Sequence, residues 1–157
     1  MVRVGFTTEQ LERWAFEDEL TGLFNRRRLA LEIDAREVAK IPTYFVAIDL
    51  DGFKREQDRP EHGHAWGDQI LRTFASFLLR STRRVHARPD VVLTRPGGDE
   101  FLVLVDSRAG AEAVAARVLA WERGGVRASA AVGTTWKEAD AALYAVKAAR
   151  KSLARAV

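Results

Sequence analysis

Apolar residues recur along this chain with two different periods, and the changes of period divide it into elements. Thr7-Thr-Glu-Gln10 reads as a capping box opening a short helix, with Leu11, Trp14 and Ala15 on one face, that stops near Asp18. Thr21-Gly22 makes a turn, and Asn25 caps a second helix over residues 26–40, which Pro42 ends. Tyr44-Phe-Val-Ala-Ile48 is a continuous apolar run, the pattern of a strand buried on both faces. Ile70, Leu71, Phe74 and Leu78 fall at helical spacing within residues 65–81. Apolar runs at 91–94 and 101–105 flank Pro96-Gly-Gly-Asp99, which reads as a hairpin. Val114, Val118 and Trp121 point inward from a helix over 109–123, residues 126–132 alternate as a strand, and 139–156 closes the chain as a helix.

The middle of the chain therefore runs β-α-β-β-α-β, the split order of a ferredoxin-like sheet. The expected fold class is α+β: an antiparallel-containing sheet flanked by helices, with extra helices at both ends. That architecture hosts many unrelated activities, so function has to be read from a site.

Composition narrows the classes without choosing among them. The 157 residues suit one domain, and 47% hydrophobic content excludes disorder. Zero cysteines exclude a disulfide scaffold, a thiolate metal site and a cysteine nucleophile. Apolar runs such as Phe101-Leu-Val-Leu-Val105 fall far short of the roughly 20 residues of a membrane span. Met1-Val-Arg-Val-Gly5 leads into polar sequence with no secretory signal, so a cytoplasmic location is expected. A net charge of +3, from 25 Lys and Arg against 22 Asp and Glu, is too weak a footprint to imply nucleic acid.

The acidic residues carry more information. Asp49 and Asp51 sit at the C-terminal end of the first strand, where ligands gather in α/β sheets, and their spacing of two puts both carboxylates on one face. Asp99 and Glu100 follow the Gly97-Gly98 turn of a hairpin that this topology lays beside the first strand. Carboxylates brought together without basic neighbours repel unless a divalent cation neutralises them, and an oxygen-liganded ion such as Mg²⁺ fits. Asp-x-Asp alone more often just ends a strand; the glycine hairpin beside it tips the balance towards a site. A calcium loop is excluded because Gly52 falls at the fourth loop position rather than the sixth. His62 and His64 lack a third ligand for zinc.

Five segments, taken in order, resemble the GGDEF family of diguanylate cyclases. They are Asp18-Glu-Leu-Thr-Gly-Leu-Phe-Asn-Arg-Arg27, Ile48-Asp-Leu-Asp-Gly-Phe-Lys54, Gly63-His-Ala-Trp-Gly-Asp68, Arg95-Pro-Gly-Gly-Asp-Glu-Phe101 and Ala139-Asp-Ala-Ala-Leu-Tyr-Ala-Val-Lys147. The resemblance implies a nucleotidyl-cyclase palm that condenses two GTP into cyclic di-GMP and two pyrophosphates, each subunit of a homodimer presenting one GTP to the other. It implies Mg²⁺ or Mn²⁺ held by Asp49, the Leu50 carbonyl and Asp99, with Glu100 supporting a second metal or activation of the ribose 3′-hydroxyl. Lys54, Lys147 and the backbone amides of Gly52 and Phe53 would grip phosphates, beside the turn glycines Gly97 and Gly98. Lys151 stands where the family has a phosphate-binding arginine. Asp68 and Gln57 occupy the guanine-contacting positions. Residues 1–17 would be a signalling or linker helix continuing from a sensor domain, and 18–157 the GGDEF domain.

The departures from the family pattern gather on the substrate-binding side. Gln57 replaces the usual Asn, and two extra residues separate Asp58 from Gly63. Pro96 replaces an aromatic residue, Arg150-Lys151-Ser152 replaces Gly-Arg-Asn, and Ala131-Val-Gly133 lacks the usual Ser. In the family's inhibitory R-x-x-D motif Arg88 is present, but Val91 stands at the Asp position and Asp90 comes one residue early, so product inhibition is expected to be absent. The alternative to an active cyclase is a weak or inactive module that binds GTP or cyclic di-GMP and regulates a partner.

Overall fold

The computed structural model describes residues 5–85 and 91–155, with side chains described for 5–82 and 91–150. Helix α1 (Thr8–Phe16) opens on the expected capping box, in which Thr7 and Gln10 satisfy each other's backbone amides. Helix α2 (Arg26–Val38) starts at Asn25, whose side chain accepts from the amides of Arg27 and Arg28. Strand β1 (Tyr44–Asp51) leads into a five-residue helix α3 (Phe53–Gln57), then α4 (His64–Val85). Strands β2 (Val92–Gly97) and β3 (Glu100–Val105) form the hairpin, and α5 (Arg108–Leu119) follows. A two-residue strand β4 (Glu122–Arg123), strand β5 (Val126–Gly133) and helix α6 (Trp136–Arg155) complete the chain.

The sheet has the order β2-β3-β1-β5-β4 with every neighbouring pair antiparallel. This is the expected βαββαβ arrangement, with β1 held between β3 and β5. Even-numbered positions of β1 (Val46, Ile48, Leu50) meet α4 and α5 in one core around Phe74, Leu78, Val114 and Val118. Odd-numbered positions (Phe45, Ala47) meet α2 and α6 in a second core with Leu29, Ala139 and Leu143. Coverage on both faces explains why β1 is apolar throughout. It also corrects the reading of β5 as alternating, since residues 128–131 are all buried.

Other boundaries also differ from the sequence reading: α4 runs on to Val85 rather than 81, and α6 starts at Trp136 rather than 139. Helix α5 ends at Leu119 rather than 123, so Trp121 lies beyond the helix, where its ring packs edge-on against Phe74 at 4.9 Å. Glu122 and Arg123 instead pair with Arg127 and Val126 across the Gly124-Gly125 turn. Helix α3 was not expected, because five residues give no full period to detect.

The connection between α1 and α2 covers the outer edge of β2. Phe24 donates to the Leu93 carbonyl at 3.1 Å and Arg95 donates to the Phe24 carbonyl at 2.8 Å. An otherwise open strand edge is thereby paired within the chain, and the hairpin gains a fixed support.

Candidate active site

The inward stripe of α6 and one face of β1 change chemistry at the same level. Ala139 and Leu143 pack on Phe45 and Ala47; one turn further along the helix stands Lys147, and further along the strand face stand Asp49 and Asp51. Lys147 Nζ bonds Asp49 Oδ1 and lies 3.5 Å from Asp51 Oδ1. Arg150 Nη1 lies 3.3 Å from Asp51 Oδ2 and donates to Ser129 Oγ at 2.8 Å, while Ser129 Oγ donates to Asp51 Oδ2. The aspartates therefore do have basic neighbours, contrary to the sequence reading, because α6 returns to them from about a hundred residues away. Ser129 and Arg150 were missed as members of this cluster. Arg150 was detectable as i+3 from Lys147, and Ser129 is the cross-strand partner of Asp49.

The hairpin brings the second acidic pair alongside. Glu100 is the register partner of Asp49 on β3, and the Leu50 amide donates to the Asp99 carbonyl at 3.3 Å. Gly98 and Asp99 are the two turn residues, and Gly98 has φ of 57°, a conformation that glycine adopts without strain. Burial, and then the charge of Asp49, push the Asp99 carboxyl above its ordinary value. Glu100 is raised in the same way, by burial and then by Asp49, Asp99 and Asp140. For Lys147, burial would lower the value, but the bond to Asp49 and the charges of Asp49 and Asp51 prevail and raise it.

The turn is clamped from behind. Arg95 donates to the Gly98 carbonyl at 2.9 and 2.7 Å and to both oxygens of Asp18 at 2.9 and 3.0 Å. Thr21 donates to the same aspartate through its hydroxyl and its amide. Burial alone would raise Asp18, yet its bonds to Thr21 and Arg95 hold it below its ordinary value.

Asp49, Asp51 and Asp99 open onto a cleft of about 1040 Å³, with Gly52, Phe53 and Lys54 of the β1–α3 turn on its wall. Lys54 is exposed, with Nζ 3.6 Å from Asp58. Arg55, Arg127, Lys147 and Arg150 add cations, and Leu119 and Trp121 an apolar side. Gln57 and Asp68 are not part of this lining. Gln57, the last residue of α3, packs at a separate corner against Gly67, the residue before Asp68 on α4. A Cβ on Gly67 would stand 2.2 Å from Gln57 Nε2, so the glycine lets the Gln57 amide lie against the residue preceding Asp68. His62 stacks on Trp66 at 4.2 Å and its Nδ1 lies 2.6 Å from the Glu56 carbonyl, an engagement in packing rather than in a zinc site. The Lys151 side chain and residues 86–90, with Arg88 and Asp90, lie outside the described residues.

A family model described as "Diguanylate cyclase, GGDEF domain" matches residues 15–122, more than half of the chain. The chain belongs to the GGDEF family. Its signature, Gly97-Gly-Asp-Glu-Phe101, is the β2–β3 turn and the start of β3. The chain is 39% identical over 115 residues to the cyclic di-GMP phosphodiesterase PdeR of Escherichia coli, matching 71% of this chain and 16% of PdeR. It is 36% identical over 103 residues to the diguanylate cyclase DgcZ of the same organism, matching 64% of this chain and 32% of DgcZ. The GGDEF chain thus spans a third or less of these relatives. Among solved structures, the coiled coil and GGDEF domain of DgcB from Caulobacter crescentus, in complex with c-di-GMP, matches with a TM-score of 0.69 at 27% identity, covering 90% of this chain and 85% of that one. The fold is the nucleotidyl-cyclase palm shared with such neighbours. Among the described residues, no helix is long and apolar enough to cross a membrane.

The donor set suits a hard divalent ion. Burial, with the charge of Asp49 added to it, raises the proton affinity of Asp99, and among the described residues no histidine or cysteine lines the cleft. Among the described residues no three His, Asp or Glu side chains form a ready cage. Mg²⁺ is commonly held by one or two carboxylates together with substrate phosphates, and needs no such cage.

Proposed function

We propose that this chain is a diguanylate cyclase that condenses two GTP into cyclic di-GMP with release of two pyrophosphates. The observation that supports the reading is that Asp49 and Asp99 line one cation-rich cleft, with Glu100 the cross-strand neighbour of Asp49. Asp49, the Leu50 carbonyl and Asp99 would hold Mg²⁺ or Mn²⁺. Held there, such an ion would supply a lowered hydroxyl pKa and neutralisation of charge on the leaving pyrophosphate.

The remaining work falls to the chain's own groups. Glu100, exposed at the start of β3 and with raised proton affinity, would take the proton of the ribose 3′-hydroxyl. Lys54 and Lys147 bring positive charge to the triphosphate, and the Gly52 and Phe53 amides at the start of α3 add donors. Gly97 and Gly98 leave room beside Asp99 for the nucleotide, and Lys151 adds charge further along α6. Asp68 and Gln57 recognise guanine, the carboxylate accepting from N1–H and the 2-amino group, a pattern adenine lacks. One subunit carries half of the geometry, so two chains must face each other with the nucleotides in line. Specific activity is therefore expected to rise with protein concentration, and turnover by a demonstrated monomer at constant specific activity would contradict this. An upstream sensor segment preceding α1 would set the dimer.

A second reading is a GTP- or cyclic di-GMP-binding module without turnover. The observation favouring it is that Gln57 and Asp68 lie off the cleft that holds the carboxylates. Incubation with GTP and Mg²⁺, followed by mass spectrometry, separates the two. Cyclic di-GMP supports the cyclase, and bound but unconverted GTP supports the module.

A further inference from the structure

Helix α6 brings two cations to the acidic corner, and only Lys147 occupies a position that the family pattern assigns. Arg150 follows three residues later on the same face, one position short of where the family's arginine stands. Its guanidinium reaches Ser129 Oγ at 2.8 Å and Asp51 Oδ2 at 3.3 Å, while Lys147 bridges Asp49 and Asp51. Two carboxylates thus meet two cations, and the pair is neutralised charge for charge. Both side chains are still partly exposed, at 30% for Lys147 and 48% for Arg150, so each can swing into the cleft that it lines.

This ion pairing restricts what can bind. An ammonium on Asp49 Oδ1 and a divalent cation on the same oxygen at about 2.1 Å exclude each other. A cation arriving alone must displace Lys147 and leaves the ammonium without an anion. A cation arriving on a triphosphate brings phosphate oxygens to receive it. Arg150 gains most from the same exchange, because a guanidinium fork matches phosphate in a bidentate fashion.

We infer that Lys147 and Arg150 form an exchangeable counter-ion pair: they hold Asp49 and Asp51 until a metal–nucleoside triphosphate complex arrives, then pass to its phosphates, with Arg150 contributing more than Lys151. The inference rests on the triphosphate reading of the cleft. Its consequence is that the metal–nucleotide complex binds, whereas the free divalent cation binds poorly.

Electron paramagnetic resonance of Mn²⁺, titrated into the whole chain without nucleotide, tests the exchange. Lys147→Met is expected to bind Mn²⁺ about tenfold more tightly than wild type, the size of one charge-assisted contact. Equal affinities overturn the exchange. Lys147→Gln repeats the measurement should the Met variant fail to show a cooperative melt. Calorimetry with Mn²⁺ and α,β-methylene GTP tests the assignment of Arg150. Arg150→Met is expected to weaken binding about tenfold, and by more than Lys151→Met does. Wild-type affinity in Arg150→Met, or a larger loss in Lys151→Met, overturns it. Failure of the wild type to bind the nucleotide refutes the triphosphate reading, and the Mn²⁺ measurement still judges the exchange by itself.

Discussion

The carboxylate end of the cleft and the α3–α4 corner are built on different principles. At the carboxylate end the acidic groups and the α6 cations sit on, or at the tip of, a strand or long helix, and their supporting contacts join segments far apart in the chain. Asp49 is fixed by register with Glu100 and Ser129, Asp99 by a two-residue turn, and that turn by Arg95 and Asp18. The α3–α4 corner rests on a five-residue helix and a loop carrying two extra residues, with Gln57 held by close approach to Gly67. Sheet register tolerates no slip, since one residue reverses every side chain, whereas a loop absorbs insertions. Gln57 and the two-residue insertion fall where the scaffold permits change, whereas Pro96, Ala131 and Arg150-Lys151-Ser152 fall on β2, β5 and α6, so those substitutions alter side chains and leave the register intact.

Four experiments can break or sharpen that contrast. The largest effect is expected at the rigid end. Asp49→Asn or Asp99→Asn should lower turnover by about a thousandfold or more with an unchanged melting transition, because on the proposed reading each removes a charge that would hold the ion. Near-wild-type turnover in either would remove that residue from the reaction.

Next comes the clamp behind the turn. Asp18→Asn should cost about 1–3 kcal/mol in urea unfolding at pH 7, the range for a hydrogen-bonded partly buried charge. The folded-state value of Asp18 lies below the unfolded one, so its contribution is present above the ordinary carboxylate range and is lost as pH falls through the folded value. Wild type and variant should therefore converge in strong acid. A difference that persists below pH 2 would assign the stability to shape rather than charge.

At the α3–α4 corner smaller and purely binding effects are expected. Gln57→Ala should raise KM for GTP about tenfold with little change in kcat, as for one lost polar contact to a substrate held equally before and during reaction. A fall in kcat alone would move Gln57 from recognition to chemistry. The smallest effect is expected for Gly67→Ala, whose added methyl displaces the Gln57 amide and should raise KM a few-fold, about threefold. In Gln57→Ala the same methyl should do nothing further, and additive losses would show that Gly67 acts without Gln57.

The legibility of the chain follows the same division. The βαββαβ order, both capped N-terminal helices and the acidic pairs were readable, because periodicity, capping residues and the spacing of Asp49 and Asp51 are local signals. Helix α3, strand β4 and the true end of α5 were not. Five and two residues contain no period, and Trp121 is apolar whether it lies on a helix or just past one. Partners were least visible: nothing near Asp51 in sequence announces Ser129 or Arg150, which arrive through the return of β5 and α6. Gln57 and Asp68 were placed by resemblance, and the local loop geometry that sets them apart from the cleft has no one-dimensional signature.

The stoichiometry of pyrophosphate release from GTP in the presence of Mg²⁺ tests the central claim most directly, because it reports attack on the α-phosphate. Two pyrophosphates are expected for each cyclic di-GMP formed, and neither product from Asp99→Asn. Release of inorganic phosphate instead, or bound GTP with no pyrophosphate at any protein concentration, would contradict the assignment of this cleft to cyclic di-GMP synthesis.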